Sequence, residues 1–273
     1  MKSEIISSYF ASEHIEYYSV LPYGACCVTA PHIMERESFE PRSIILFLLP
    51  YYTSEGENLS SYATSRDYHI ELRRICDGLA EALGKVYPEA SFKGYGDHSP
   101  IDERHAALIG GLGILGDSGL LINKKYGTYV FIGDLVTDID PTLLGAIEPK
   151  DIEHCRHCGA CLAACPTGAL RGEGDCLSMI TQKKGELTQS ERNAIREHGS
   201  VFGCDVCQTA CPHNKVPERT PIAFFYEDRI PRLTREIVDN MSGAELKSHA
   251  FGWRGRALLL RNLEILEEEK SDG

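Results

Sequence analysis

The apolar positions of this chain change period from segment to segment. Ile44-Ile45-Leu46-Phe47-Leu48-Leu49 is an unbroken apolar run inside the stretch from Pro41 to Pro50. It is too short for a helix and predicts a strand buried on both faces. Over Asp67 to Leu83 the spacing lengthens. Leu72, Ile75, Cys76, Leu79 and Leu83 recur at intervals of three and four, which predicts an amphipathic helix. Thr128 to Ile132 is rich in β-branched and aromatic residues and predicts another strand. Asp102 to Ile109 predicts a helix ahead of a glycine run. Ser242 with Glu245 three residues on predicts a capping box, and Leu258 to Leu266 is apolar enough to pack on the rest. Residues 267–273 are polar and expected to fray. Together these elements predict an α+β chain in three regions: an α/β domain over 1–148, a cysteine-rich segment over 149–217 and a helical extension over 218–273.

Composition narrows the function classes. A net charge of −12 disfavours non-specific nucleic-acid binding, which rests on phosphate neutralisation, so DNA is not an expected partner. No apolar run approaches the roughly 20 residues that span a bilayer. The first ten residues hold no continuous apolar core and no twin arginine, so neither a leader nor a membrane setting is expected, and a cytoplasmic location is. Eleven cysteines is a high count for such a chain. Their clustering points to metal rather than disulfides.

The first cysteine set is Cys155-x2-Cys158-x2-Cys161-x3-Cys165-Pro166, the spacing of bacterial two-cluster ferredoxins. Three thiolates of one tight loop cap one 4Fe–4S cubane, and the fourth, before proline, ligates the other cluster. Cys176 stands alone, followed by Cys204-x2-Cys207-x3-Cys211-Pro212. The crossing rule then gives Cys155, Cys158, Cys161 and Cys211 to one cluster and Cys165, Cys176, Cys204 and Cys207 to the other. Zinc takes four thiolates as well, but from separated Cys-x2-Cys pairs, which explains two Cys-Pro endings poorly. Cys76 reads as a small core residue. A ferredoxin alone would not need the roughly 150 residues that precede the module, so a second redox centre or a substrate site is expected there.

Three stretches of that region are dense in functional side chains: Tyr62 to His69, Asp97 to Arg104, and Gly110 to Gly116 followed by Gly133 to Asp138. With Gly203-Cys204-Asp205-Val206-Cys207-Gln208, Cys211-Pro212-x-Asn214, and Arg254-Gly255-Arg256 with Leu260-Arg261-Asn262, they resemble the epoxyqueuosine reductase family in order and spacing. The resemblance implies a cobalamin-dependent iron–sulfur reductase of tRNA queuosine synthesis. In that family the N-terminal domain and the ferredoxin-like module enclose the corrinoid, and electrons from a ferredoxin- or flavodoxin-type donor pass through the clusters to cobalt. The family's Asp-x-x-Pro aspartate, the proton donor, falls on Asp97. Burial that raises its pKa would suit such a role. Arg104, Tyr68, His69 and Ser178 fall at positions implied to contact the corrinoid. The implied substrate is epoxyqueuosine, as part of tRNA or as a smaller piece.

The chain departs from the family's pattern in places. Asp117 stands where a lysine is usual and His213 where a tryptophan is common. The sequence stops where the family's tRNA-binding helical repeats would continue, which implies a short member. Lys247, Arg254, Arg256 and Arg261 read either as a remnant of that surface or as a solvated helix face. Two other function classes stay open: a dehalogenase-like corrinoid reductase acting on another small molecule, and an iron–sulfur electron carrier without corrinoid. Gly111-x-Gly113-x-x-Gly116 matches a dinucleotide pattern, but that pattern needs a strand before it and a helix after it.

Overall fold

The structure is a computed structural model that describes residues 3–268; most of the polar stretch 267–273 therefore lies outside the described residues. Contacts divide the chain into two compact units, one of Met1–Pro50 with His69–His157, the other of Tyr51–Tyr68 with Cys158–Gly273. These bounds differ from the three regions expected from the sequence.

The first unit is built on a four-stranded sheet in the order β1-β2-β6-β3: β1 (Tyr18–Pro22), β2 (Ser43–Pro50), β3 (Phe92–Tyr95) and β6 (Val130–Thr137), every neighbouring pair antiparallel. Two further short strands, β4 (Ile114–Leu115) and β5 (Leu121–Ile122), form a separate hairpin. β2 is buried along its whole length, as its apolar run predicts. Ile44, Leu46 and Leu48 share a core cluster with Ala106, Ala107 and Ile109 of the helix Glu103–Ile109. Phe47 packs on Phe10 of the helix Ser3–Ser12, ring centroids 5.3 Å apart, so residues alternating along β2 serve two cores. The predicted long helix spans Tyr68–Gly84, with Leu72, Ile75, Cys76, Leu79 and Leu83 all buried.

The strand expected at Thr128 to Ile132 begins at Val130 and runs on to Thr137. Glycine and aspartate are poor strand formers, so Gly133 and Asp134 read as its end. β6 continues through them because β2 and β3 pair with it on either side. Gly133 lies opposite Phe47, and a Cβ there would stand 2.4 Å from the Phe47 ring and 2.7 Å from Leu72. We expect Gly133→Ala to cost about 1–3 kcal/mol by overpacking, read as a lowered thermal midpoint. An unchanged midpoint would show that the ring moves aside freely.

The glycine run follows the helix Glu103–Ile109 and leads into β4, so the strand-turn-helix cradle of a dinucleotide site is not formed.

In the second unit the C-terminal helix Arg256–Glu267 shares a core with the cysteine segment. Leu177, Ile180 and Ile195 cluster with Ile265. Asn262, fully buried, donates to the Thr181 and Val201 carbonyls. Residues 51–68 join the same unit: Leu59 bridges Phe202, and Asn58 both donates to and accepts from the Leu233 backbone. The cysteine region and the helical extension are thus one body, because buried polar groups of each complete the hydrogen bonding of the other. The capping box at Ser242 and Glu245 forms as predicted, opening the helix Gly243–Lys247. No helix among the described residues is long and apolar enough to cross a membrane.

Candidate functional site

All eight motif cysteines stand outside disulfides and are at least partly open to solvent. In the first unit, Cys155 donates its N–H to the Leu115 carbonyl at 2.9 Å, and His154 bridges Leu115, so the first cysteine hangs from β4. In the second unit, Gly159 at φ 73° turns the chain into the one-turn helix Ala160–Ala164, which carries Cys161 and ends on Cys165. Left-handed backbone of this kind favours glycine. Burial would push the Cys165 thiol up, but main-chain N–H groups of Leu170, Thr167 and Ala169 aim at its sulfur and hold it below the ordinary thiol range. Such donors stabilise a thiolate, the form that binds metal.

Cys204 precedes the short helix Val206–Thr209, and Cys207 lies in its single turn. Burial pushes Cys204 up to about 11, with Cys176 and Cys165 adding to the shift. Burial pushes Cys207 to about 12, with Cys204, Cys176 and Cys161 contributing. Thiols gathered so that each opposes the ionisation of its neighbours need a cation to be thiolates together. The donor set therefore fits iron–sulfur clusters. Gly203, at φ 79°, lies so close to Ser60 that a Cβ would stand 2.4 Å from the serine Cβ. Asp205 accepts from the Ser60 hydroxyl and, at 2.6 Å, from the Ser61 N–H, tying this loop to residues 51–68.

The first unit also gathers residues singled out from the sequence. Asp97 adopts a left-handed backbone at φ 61° in the bend after β3. Its carboxylate is 57% exposed and lies 3.7 Å from Nε2 of His69, whose side chain is 45% exposed. Two separate motifs thus meet here. The burial that the sequence reading wanted for Asp97 is not observed, because the bend carries the side chain outward. Arg104 does not pair with Asp102 or Glu103. Its guanidinium donates to the Gly119 carbonyl at 2.6 Å and holds the loop before β5. Asp117, at the family's lysine position, sits 2.6 Å from Nδ1 of His157. Asp117, His157 and Cys155 bring ligand atoms within 4.8 Å of one another. Since Cys155 opens the cluster motif, this group is no separate metal site.

In the second unit, Tyr68 is buried with its ring edge-on to Tyr62, 6.4 Å between centroids. Ser178 Oγ accepts from Gln182 at 3.2 Å, and Gln182 reaches the Tyr62 hydroxyl at 3.5 Å. Tyr62 and Gln182 were not singled out individually from the sequence. Of the four C-terminal basic residues, Arg256 donates to the Met241 carbonyl and Arg261 to those of Lys183 and Gly185. Arg254 stacks on Trp253. Most of that cluster is occupied within the fold, against its reading as an open basic surface.

One feature carried no motif at all. Asp134, fully buried in β6, lies against Ser99 and Glu103. The only sequence signal was a charge inside an apolar strand, Phe131-Ile132-Gly133-Asp134-Leu135-Val136.

Residues 154–214 match the 4Fe-4S double cluster binding domain. The epoxyqueuosine reductase of Gloeobacter violaceus is 34% identical over 227 residues, which cover 77% of this chain and 70% of that protein. The chain belongs to the epoxyqueuosine reductase family. The Synechocystis sp. epoxyqueuosine reductase is likewise 34% identical, over 75% of this chain and 74% of its own length. The one from Pseudomonas aeruginosa is 35% identical over 71% of this chain, but only 52% of its own length is covered. Among solved structures, the Streptococcus thermophilus epoxyqueuosine reductase superposes with a TM-score of 0.77 at 24% identity, covering all of this chain and 82% of that one. An epoxyqueuosine reductase solved with an epoxyqueuosine-modified tRNA stem loop gives 0.80 at 22% identity, with the same coverage. These superpositions establish the family's α+β fold, and the domain match establishes the double 4Fe–4S module.

Proposed function

We propose that this protein is a cobalamin-dependent reductase that removes the epoxide oxygen of epoxyqueuosine to give queuosine, with Asp97 as proton donor. The observation that carries the reading is the meeting of Asp97 and His69 in the unit that precedes a double-cluster module. Departure of an epoxide oxygen requires a proton, and an accessible carboxyl on a fixed backbone can deliver it to a bound substrate. His69, 3.7 Å away, can hold or return that proton.

The crossing assignment is retained: Cys155, Cys158, Cys161 and Cys211 hold one cluster, Cys165, Cys176, Cys204 and Cys207 the other. The proximity of Cys176 and Cys165 to Cys204, and of Cys204 and Cys176 to Cys207, supports the second set, with Cys161 of the first set also near Cys207. The clusters carry electrons from a ferredoxin- or flavodoxin-type donor. When bound, cobalamin supplies a strongly reducing cobalt centre. A corrin is fringed with amide side chains, and the guanidinium of Arg104, the imidazole of His69 and the hydroxyl of Ser178 are donors or acceptors suited to amides. Tyr68, buried beside Tyr62, would shape a wall rather than supply a hydroxyl. The substrate is epoxyqueuosine in tRNA or as a smaller piece, as the relative solved with a modified stem loop suggests. Eleven cysteines with no disulfide among the described residues suit the reducing cytoplasm.

Anaerobic titration of the cluster-loaded protein with cobalamin tests the reading. We expect a stoichiometric absorbance change that Arg104→Ala weakens. A cluster-loaded protein that leaves the cobalamin spectrum untouched would instead be an electron carrier without corrinoid. Turnover of halogenated substrates in place of epoxyqueuosine would favour the dehalogenase-like alternative.

A further inference from the structure

The Asp134 carboxyl is fully buried, and among the described residues neither of its oxygens has a hydrogen-bond partner. Glu103 Oε1 is in the same position. The two side chains face each other, Asp134 from β6 and Glu103 from the first turn of the helix Glu103–Ile109, with the Ser99 hydroxyl also against Asp134. Among the described residues, no lysine, arginine or histidine pairs with either carboxyl. Two carboxylates in buried contact without a cation repel, and the arrangement becomes favourable when one proton lies between them. The Glu103 carboxyl meanwhile accepts the main-chain N–H of Asp97. The pair is therefore tied directly to the residue whose left-handed backbone aims the exposed carboxylate.

We propose that Glu103 and Asp134 are a proton-sharing carboxyl pair that positions Asp97, with Glu103 bonded to Asp134 through one oxygen and to the Asp97 N–H through the other. Glu103 is a positioning residue, and the inference rests on Asp97 being the proton donor. Aspartate tolerates a left-handed backbone better than most residues, but holding it in that one conformation, so that its carboxylate is aimed, takes an anchor. One shared proton lets Glu103 hold that anchor without placing two bare charges in the core.

The surroundings agree. Burial raises Glu103 well above the usual carboxylate range, and the charges of Asp134, Asp97 and Asp102 raise it further, against the opposing Asp97 N–H. Burial raises Asp134, while Ser99 and Glu103 act in the other direction. The remaining titratable neighbours of Asp134 are Tyr23, Cys26, Cys76 and Tyr95. Burial raises all four, so they stay neutral through the neutral range. None of these groups supplies a positive charge that would replace the proton. As pH rises through the raised range of the pair, the shared proton leaves, the two carboxylates repel, and the Asp97 anchor weakens. Activity should therefore fall on the alkaline side.

The test uses the cluster- and cobalamin-loaded enzyme and two readouts. In infrared difference spectra, a protonated-carboxyl band should be present at neutral pH in the parent protein and in Asp97→Asn, and absent in Glu103→Gln. In turnover, Glu103→Ala should lower kcat at least tenfold with little change in KM. Glu103→Gln, whose amide donates to Asp134 and accepts from Asp97, should recover most of that loss and flatten the alkaline limb. Absence of the band from the parent protein overturns the proposal whatever Asp97 does. So does a Glu103→Gln enzyme as impaired as Glu103→Ala with the alkaline limb unchanged. If the band behaves as described but Asp97→Asn turns over at the parent rate, the pair stands as a structural feature and the catalytic assignment of Asp97 is what fails.

Discussion

Asp97→Asn should lower kcat for epoxyqueuosine reduction by about 10²–10⁴-fold, the usual worth of a positioned general acid. The cluster absorbance and the cobalamin titration should stay those of the parent protein. An amide keeps the size of the side chain and can follow the same left-handed backbone, so the loss would report the missing proton rather than a collapsed loop. The side chain is more than half exposed, so the substitution buries no new group, and a fold-stability control is simple to interpret. His69→Ala should have a much smaller effect. A half-exposed pair at 3.7 Å contributes about 0–1 kcal/mol, roughly a fivefold change or less. A full-rate Asp97→Asn enzyme would remove the aspartate from the mechanism and return attention to His69.

The second large effect concerns which cysteines share a cluster. Each single cysteine-to-alanine change should abolish one of the two clusters, read as loss of about half the bound iron. Pairs of changes decide the wiring. If ligation crosses, Cys165→Ala with Cys204→Ala removes ligands of one cluster, and about half the iron remains. Cys211→Ala with Cys204→Ala then removes ligands of both, and little iron remains. Sequential ligation, with Cys165 joining Cys155, Cys158 and Cys161, gives the reverse outcome. Burial raises the Cys204 thiol, and Cys176 and Cys165 lie near enough to add to that shift, a proximity that crossing requires. Turnover should be lost in every variant, because a two-cluster relay with one station missing has no path.

The sequence by itself determined the elements whose signal is local. The buried strand Ser43–Pro50 and the helix Tyr68–Gly84 follow from apolar spacing, since a run of six and a three-to-four period admit few other structures. The cysteine spacing determined the double-cluster module, because ligand chemistry tolerates little variation in loop length. The order of short motifs determined the family. Asp97, His69 and Arg104 were named from those motifs, but their motifs did not say that Asp97 meets His69 or that Arg104 holds Gly119.

Only the tertiary structure decided the rest, and in each case a distant partner is the reason. β6 runs through Gly133 and Asp134 because strands on both sides pair with it, overriding weak local propensity. The helical extension joined the cysteine region because Asn262 completes the Thr181 and Val201 carbonyls. Arg256 and Arg261 turned from an apparent basic surface into internal braces once their carbonyl partners were in place. The Glu103–Asp134 pair was invisible along the chain, since the two residues belong to different elements and only folding brings their carboxyls together. A local pattern fixes what a segment is; the charges, donors and acceptors that meet it across the fold fix what its side chains can do.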